Sequence, residues 1–515
     1  MKTTKWNVFS NIRTNGWLRT GVVVSAFSLA LTLPGSGNAA DTILKVGSTS
    51  YPTSLDPATS GGGSDHPYLY LIYDRLVDAD RATGTLKPGL ATSWKFSDDG
   101  RQLEMELRQG VQFHDGTPFN ADAVLASIKR YQQKRVQTDL DIVTDVKVVE
   151  PHKVILMLKN PNSSLPAILA DRGGMIVSPT AVQKHGDQYP RFPSGTGPYK
   201  VAAAVQGASV TYSRFDQYWA GKPALDGVNW VTFTEVIALE NAATTGQLHV
   251  ALQIPARDVS ALQGGRGYTV SSGPSLEVTL MMLNGSKSPV DSKAVRSAIN
   301  RAINRDDILI ATNNGAGAVA SQLLPPNSPY YSKEVAENYG YNLDEAKRLM
   351  KESGKTNVTL ECTFFAGLGY EIAGPLMIED LAKIGVKLTL HEKTLAQGVA
   401  DMAAGKLPCF FTRWTGRPDP SMTLFGAFDT RGYANYGKND IGVDPLMDQM
   451  LATFEDTDME KRVEIGKQIA LLAAQDPLSI ALVYQPAVVL LSDKVEGYIP
   501  NYLGKQDLRS VSLRQ

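Results

Sequence analysis

The apolar positions change period repeatedly along the chain, and those changes mark out the elements. Residues 43–49 alternate apolar and polar, the period-two pattern of a strand with one buried face. Tyr51-Pro52 and the turn-forming run to Pro57 end it, and Ser60-Gly61-Gly62-Gly63-Ser64 reads as a loop. A helix is predicted over 67–77, carrying Tyr68, Tyr70 and Tyr73. Residues 91–113 pattern as strand, Asp98-Asp99-Gly100 turn and strand, a β-hairpin. Helical periodicity follows over 120–131, with Asn120 or Thr117 as the cap, then strands at 146–150 and 153–158 about a Pro151-His152 turn. Strands at 210–215 and 228–233, a helix at 235–246 and a short strand at 249–253 come next.

A second unit begins near Thr279, with helices predicted at 292–303, 344–352, 370–384 and 394–404. Strands at 358–364, 387–391 and 408–414 alternate with the last two, the βαβ rhythm of a parallel sheet. A long helix at 459–475 precedes a strand at 479–491 that returns to the first unit. The reading is therefore α/β and two-lobed. Lobe I comprises 40–75, 191–278 and 480–515 and is interrupted by an α+β subdomain at 76–190, while lobe II covers 279–479. Two lobes joined by more than one chain crossing suggest a hinged clamp.

The first 39 residues read as a secretory signal, outside the fold. Lys2, Lys5, Arg13 and Arg19 precede an apolar run at 22–33, too short to span a bilayer comfortably, and small residues at 35–40 place cleavage after Ala39. An uncleaved anchor or a buried apolar helix are the alternatives. No Cys follows the run, so lipid modification is not predicted, and the mature chain is expected to be periplasmic. Removing this segment subtracts four basic and no acidic residues, taking 51 against 52 to 47 against 52, a net of about −5. Mild acidity argues against nucleic acid or an anionic membrane as partner, and a monomer is expected. Cys362 and Cys409 are the only cysteines. They lie on predicted strands of one lobe and could bond if those strands are neighbours. Two isolated buried thiols are the ordinary alternative.

Catalytic constellations are missing from the sequence. There is no Gly-x-Ser-x-Gly elbow, no His-Glu-x-x-His and no Ser-x-x-Lys box with its partners. The six histidines are scattered without metal-ligand spacing. No enzyme activity, cofactor or metal is predicted.

Several strings, in order, resemble the extracellular solute-binding proteins of the dipeptide, oligopeptide, nickel and opine group. They are Leu55-Asp56-Pro57; the run 86–94, Leu-Lys-Pro-Gly-Leu-Ala-Thr-Ser-Trp; the run 107–122 from Leu-Arg-Gln-Gly to Phe-Asn-Ala-Asp; Gly195-Thr196-Gly197-Pro198-Tyr199; Tyr218-Trp219; and Leu283-Asn284 with the helix of 295–303. The resemblance runs from about residue 44 to 500. It implies the periplasmic-binding-protein clamp and a binder that delivers a small ligand or peptide to the permease of an ABC transporter in the inner membrane. Most of these strings are scaffold. A nickel-chelate or haem binder, and a peptide-binding chaperone or sensor, are alternatives on the same fold.

The segment Arg413-Trp414-Thr415-Gly416-Arg417-Pro418-Asp419-Pro420 leaves the carboxyl end of a predicted parallel strand, where open α/β sheets bind ligands. The resemblance implies that this loop faces the cleft and that its Trp414 and Gly416 line the site. Arg417 offers planar bidentate donors to a carboxylate, while Asp419 could take a ligand ammonium or pair with Arg417. Arg172, beside Gly173 and Gly174, could present donors to an anion. Tyr51, His66 and Tyr68 near the glycine loop, Phe365 and Tyr370 after a lobe II strand, and Asn284 complete the candidates. Core packing is the competing reading for each ring. The expected ligand is a dipeptide to short oligopeptide, or an amino-acid conjugate such as glutathione or an opine, with a free carboxylate.

Overall fold

The computed structural model describes residues 42–365, 369–454, 458–501 and 503–514. The predicted signal segment lies outside them. Among the described residues no helix is long and apolar enough to cross a membrane.

Alternating apolar strands assemble one 11-stranded mixed sheet. Its spatial order is Val386–Glu392, Val358–Phe364, Cys409–Trp414, Tyr268–Leu283, Ser479–Ser492, Val250–Leu252, Ile43–Ser48, Gly227–Thr232, Ser209–Arg214 and Tyr199–Val205, with Ala318–Val319 paired to the Ser479–Ser492 strand off that path. The two long strands in the middle belong to both lobes. They pair antiparallel from Tyr268↔Ser492 to Pro274↔Pro486, lose register, and resume at Val278↔Tyr484. Three residues of one strand, Ser275, Leu276 and Glu277, thus face the single Gln485 of the other. The facing prolines donate nothing to the ladder, which is where a sheet bends most easily. Ser275 Oγ donates to the Gln485 carbonyl (2.7 Å) and accepts from the Glu277 amide (3.1 Å), replacing part of the lost ladder. This bulge interrupts the ladder in the two strands that the lobes share.

A separate antiparallel sheet, Ala91–Phe96, Gln102–Leu107, Lys153–Leu158 and Val143–Glu150, packs on the helix Ala121–Lys134 around its own core of Leu103, Met105, Phe113, Val124, Ile128 and Leu156. The Asn120 side chain caps that helix by accepting from the Ala123 amide. The helix predicted over 67–77 is only His66–Ile72. It stops at Tyr73 because the next residues are drawn into extended backbone. Asp74 there accepts from Trp219 Nε1 (2.7 Å), Tyr218 Oη (3.0 Å) and Thr196 Oγ1 (3.1 Å).

Cys362 and Cys409 are register partners on adjacent parallel strands, both fully buried, and form a disulfide with Cα atoms 4.6 Å apart. Of the two readings left open by the sequence, the bond is the one observed.

Candidate functional site

Asp171 organises the cleft. It ends a short buried turn of the inserted subdomain, and its carboxylate accepts from Lys505 Nζ at 2.5 Å and His66 Nε2 at 2.6 Å. Arg417 Nη1 stands 3.7 Å from its Oδ2, close enough for charge attraction and too far for a hydrogen bond. Burial alone would raise Asp171, yet Lys505, His66 and Arg417 together hold its carboxyl well below the usual range. Burial, then the opposing Arg417 charge, brings Lys505 down to about 8 despite Asp171.

Each member reaches this point from a different part of the chain. His66 opens the helix after the glycine loop. Lys505 is carried by the C-terminal segment, which is pinned by Arg509 bridging Asp507 (2.7 Å) and Asp74 (3.3 Å). Arg172 donates from Nη2 to the Gly62 carbonyl at 2.5 Å, and the same nitrogen lies 3.3 Å from His66 Nδ1. Its buried Nε has no partner, and neither does the buried Oδ1 of Asp139. Arg417 comes from lobe II with Nη2 donating to Tyr433 Oη at 3.3 Å. The loops that carry these groups touch: a Cβ added at Gly63 would lie 3.2 Å from Thr415 Oγ1. Gly416 packs on the bulge, where a Cβ would come within 2.2 Å of the Leu276 Cβ.

Burial, then the Lys505 charge, lowers His66 to about 3. Its imidazole is neutral at pH 7; Nε2 donates to Asp171, while Nδ1 lies 3.0 Å from the Gly63 carbonyl and 3.3 Å from Arg172 Nη2. An unfolded histidine takes up its proton near 6.5, whereas the folded one waits until about 3. The native state therefore loses stability as pH falls below 6.5, by up to about 1.4 kcal/mol per pH unit for this proton. Urea unfolding midpoints at pH 7 and 4.5 should show a shallower decline in His66→Gln than in the natural protein. Equal slopes would remove His66 as the source.

Three of the sequence candidates, His66, Arg172 and Arg417, are thus brought together. The others lie elsewhere. Asp419 is engaged elsewhere than at Arg417: it caps the helix Pro420–Phe428 through the Ser421 amide (2.9 Å), is ion-paired with Arg462, and accepts from Ser164 Oγ of the inserted subdomain at 2.6 Å. Trp414 is buried against Tyr433, ring centres 5.5 Å apart. Tyr68 is stacked on Trp230 at 3.9 Å, its hydroxyl donating to the Ser50 carbonyl (2.9 Å), and Tyr51 is half-buried on the same core. Tyr370 is in the lobe II core, with its hydroxyl on the Thr412 carbonyl, and Phe365 packs near Phe410 at 6.2 Å. Asn284 sits at the far end of the Tyr268–Leu283 strand from the bulge, where its Oδ1 accepts from Ser286 Oγ (2.6 Å). It is a turn residue at the strand's end, outside the interrupted stretch at 275–277. Lys505, Asp139 and Tyr433 were not singled out from sequence, since each stands in a string with no motif. Among the described residues no group of three or more His, Cys, Asp or Glu side chains is placed to hold a metal ion.

Two lobes that share a pair of long strands, with basic side chains from both meeting at Asp171, form the frame of a solute-binding clamp. The sequence pattern described as bacterial extracellular solute-binding proteins, family 5 Middle, matches residues 85–436, and the chain belongs to that family. This is a substrate-binding, non-catalytic class of extracellular or periplasmic proteins that bind small ligands or peptides and work with ABC transporter permeases. The chain is 28% identical over 506 residues to the glutathione-binding protein GsiB of Escherichia coli (strain K12), covering 93% of this chain and 96% of that one. Its fold is similar to the periplasmic binding protein DppA from Helicobacter pylori in complex with peptide STSA, with TM-score 0.82, 22% identity and coverage of 92% and 99%. It is equally similar to the binding protein AgaA from A.tumefacien R10 in complex with agropinic acid, with TM-score 0.83, 24% identity and the same coverage.

Proposed function

We propose that this chain is the periplasmic substrate-binding component of an ABC importer, exported by cleavage after Ala39 and acting as a monomer without metal or cofactor. It captures a small peptide or an amino-acid conjugate of the glutathione or opine kind and delivers it to the permease. Lobe I (40–75, 191–278 and 480–515), its inserted subdomain (76–190) and lobe II (279–479) close on the ligand about the bulge at 275–277. Relatives named for glutathione, peptide and agropinic acid support this ligand class.

The observation that carries the reading is the meeting of Arg417 and Arg172 at the cleft with donors left over. Arg417 makes no hydrogen bond to Asp171 at 3.7 Å, and Arg172 Nε is buried without a partner. A ligand carboxylate entering here receives planar bidentate donors from Arg417. Closure follows because the ligand touches both lobes only in the closed state. Tyr51 and Trp414, at the margins of the same loops, are proposed to shape the apolar side of the site.

A thermal-shift screen of glutathione, dipeptides, short oligopeptides and opines on the mature protein tests the reading, because bound ligand stabilises by mass action. A stabilising ligand is expected, and its effect should survive a chelator; no response to any of these compounds would sink the ligand class. In calorimetry with that ligand, Arg417→Ala should weaken binding at least tenfold, about 1.4 kcal/mol. Unchanged affinity would remove Arg417 from the site.

A further inference from the structure

At the end of the cleft away from the bulge, the inserted subdomain meets lobe II through a buried polar cluster. Ser164, fully buried, donates to Asp419 Oδ2 at 2.6 Å and lies 2.9 Å from Ser421 Oγ. Arg462 reaches across with Nη1 on Ser163 Oγ (3.0 Å) and Nη2 on Ser164 Oγ (3.0 Å). The Ser163 amide donates to the Leu451 carbonyl at 2.9 Å, and Phe454 packs against Phe96 with ring centres 4.6 Å apart and planes tilted by 60°. Next to this, Gly100 leaves room for Phe454, since a Cβ there would be 2.4 Å from its Cζ.

The cluster divides into two kinds of contact. Asp419, Ser421 and Arg462 all belong to lobe II and hold one another whether or not the lobes meet. Ser163 and Ser164 come from the other side. Asp419 ends the loop that begins after Trp414 and carries Arg417, so whatever fixes Asp419 fixes one end of that loop. Its other end is fixed by Gly416 against Leu276 at the bulge.

We propose that Ser164 is a positioning residue for the binding loop: its hydrogen bond to Asp419 adds, from the other lobe, to the hold that Arg462 and Ser421 already give, and so orders the Thr415–Asp419 segment, and Arg417 with it, most tightly when the lobes are closed. This rests on the reading of that loop as the ligand-binding one. Closure then tightens the loop, and an open protein presents a looser Arg417.

Hydrogen exchange by mass spectrometry on the free, full mature chain tests this without any ligand. A failed ligand screen and a failed result here are therefore distinguishable. In Ser164→Ala, peptides covering 414–422 should exchange at least tenfold faster, while those of the Ala91–Phe96 and Gln102–Leu107 strands stay unchanged. Ser164→Thr, which keeps the hydroxyl, should restore protection. Ser164→Gly, tolerated where a short helix begins, should repeat the alanine result. Unchanged exchange at 414–422 overturns the proposal. So does uniformly faster exchange across both lobes, which marks a merely structural serine.

Discussion

Asp171→Ala is expected to lower the unfolding free energy by about 3–5 kcal/mol, the range for breaking a buried ion pair on one side. The side chains of Asp171 and Lys505 are 4% and 2% exposed, so water offers neither a substitute partner. Removing the carboxylate leaves Lys505, Arg417 and Arg172 facing one another with their shared anion gone, and His66 Nε2–H without its acceptor. Lys505 supplies the internal check. Burial and Arg417 already bring it down to about 8 with Asp171 present. Without Asp171 it falls further and sheds its proton, which limits the loss. Between that lowered folded value and the ordinary lysine value of 10.5, the unfolded chain binds the extra proton. Stability of the variant should therefore rise as pH increases through that window. The double variant Asp171→Ala/Lys505→Met removes both charges and should recover much of the loss. Urea midpoints of the four proteins give the coupling directly. A single variant as stable as the natural protein would sink the assignment of Asp171 as the site's central anion.

Replacing both Cys362 and Cys409 by alanine is expected to cost about 4 kcal/mol, the chain-entropy value for a bond closing a loop of this size. The two residues are 47 apart in sequence, and the loop between them contains the helices Tyr370–Ala382 and Leu395–Ala403 and the strand Val386–Glu392. Cross-linking it removes open conformations from the unfolded chain. Both sulfurs lie in the lobe II core, at 0% exposure, beside Leu360, Phe411 and Met377. Reductant should therefore act only on molecules that have already opened. Unfolding with dithiothreitol should match the double variant at equilibrium, and without it the natural protein should unfold at higher denaturant. Identical midpoints with and without reductant would show that the bond does not contribute.

Lobe II was the most legible part of the sequence. Val358–Phe364 occurs as predicted, and the strand predicted at 408–414 is Cys409–Trp414, because Val-Thr-Leu-Glu-Cys-Thr-Phe and Cys-Phe-Phe-Thr-Arg-Trp bury residues in strand patterns that local sequence alone imposes. Met459–Gln475 is also as predicted, set by its helical period. The strand Tyr268–Leu283 is not among the predicted elements, the sequence marking only the start of a second unit near Thr279; Ser271-Ser272-Gly273-Pro274 has the composition of a breaker. Its partner overrides that local signal: the strand Ser479–Ser492 supplies a full ladder to the first half, and Pro274 is accommodated at a bulge where no donor is needed. The helix Arg305–Asn313 was not predicted, its apolar positions being few and its caps contributed by Asn304 and Asn314.

Arg417 and Arg172 could be picked from the sequence because a guanidinium offers planar donors to an anion and both stand beside glycines in predicted loops. Asp419, two residues on, looked equally suited to a ligand and is instead consumed by Arg462 and Ser164, residues distant in the chain. Local composition determined the α/β character, the strands and helices with strong period, the loop that carries Arg417 and the ordered strings that mark the family. Those properties depend on neighbours a few residues away. Tertiary structure decided which strands adjoin, and so that Cys362 meets Cys409. It placed the bulge at 275–277, and it gathered His66, Arg417 and Lys505 around the Asp171 carboxylate. Such contacts join residues from 47 to 334 positions apart, and their energies appear only when burial removes water from both partners at once.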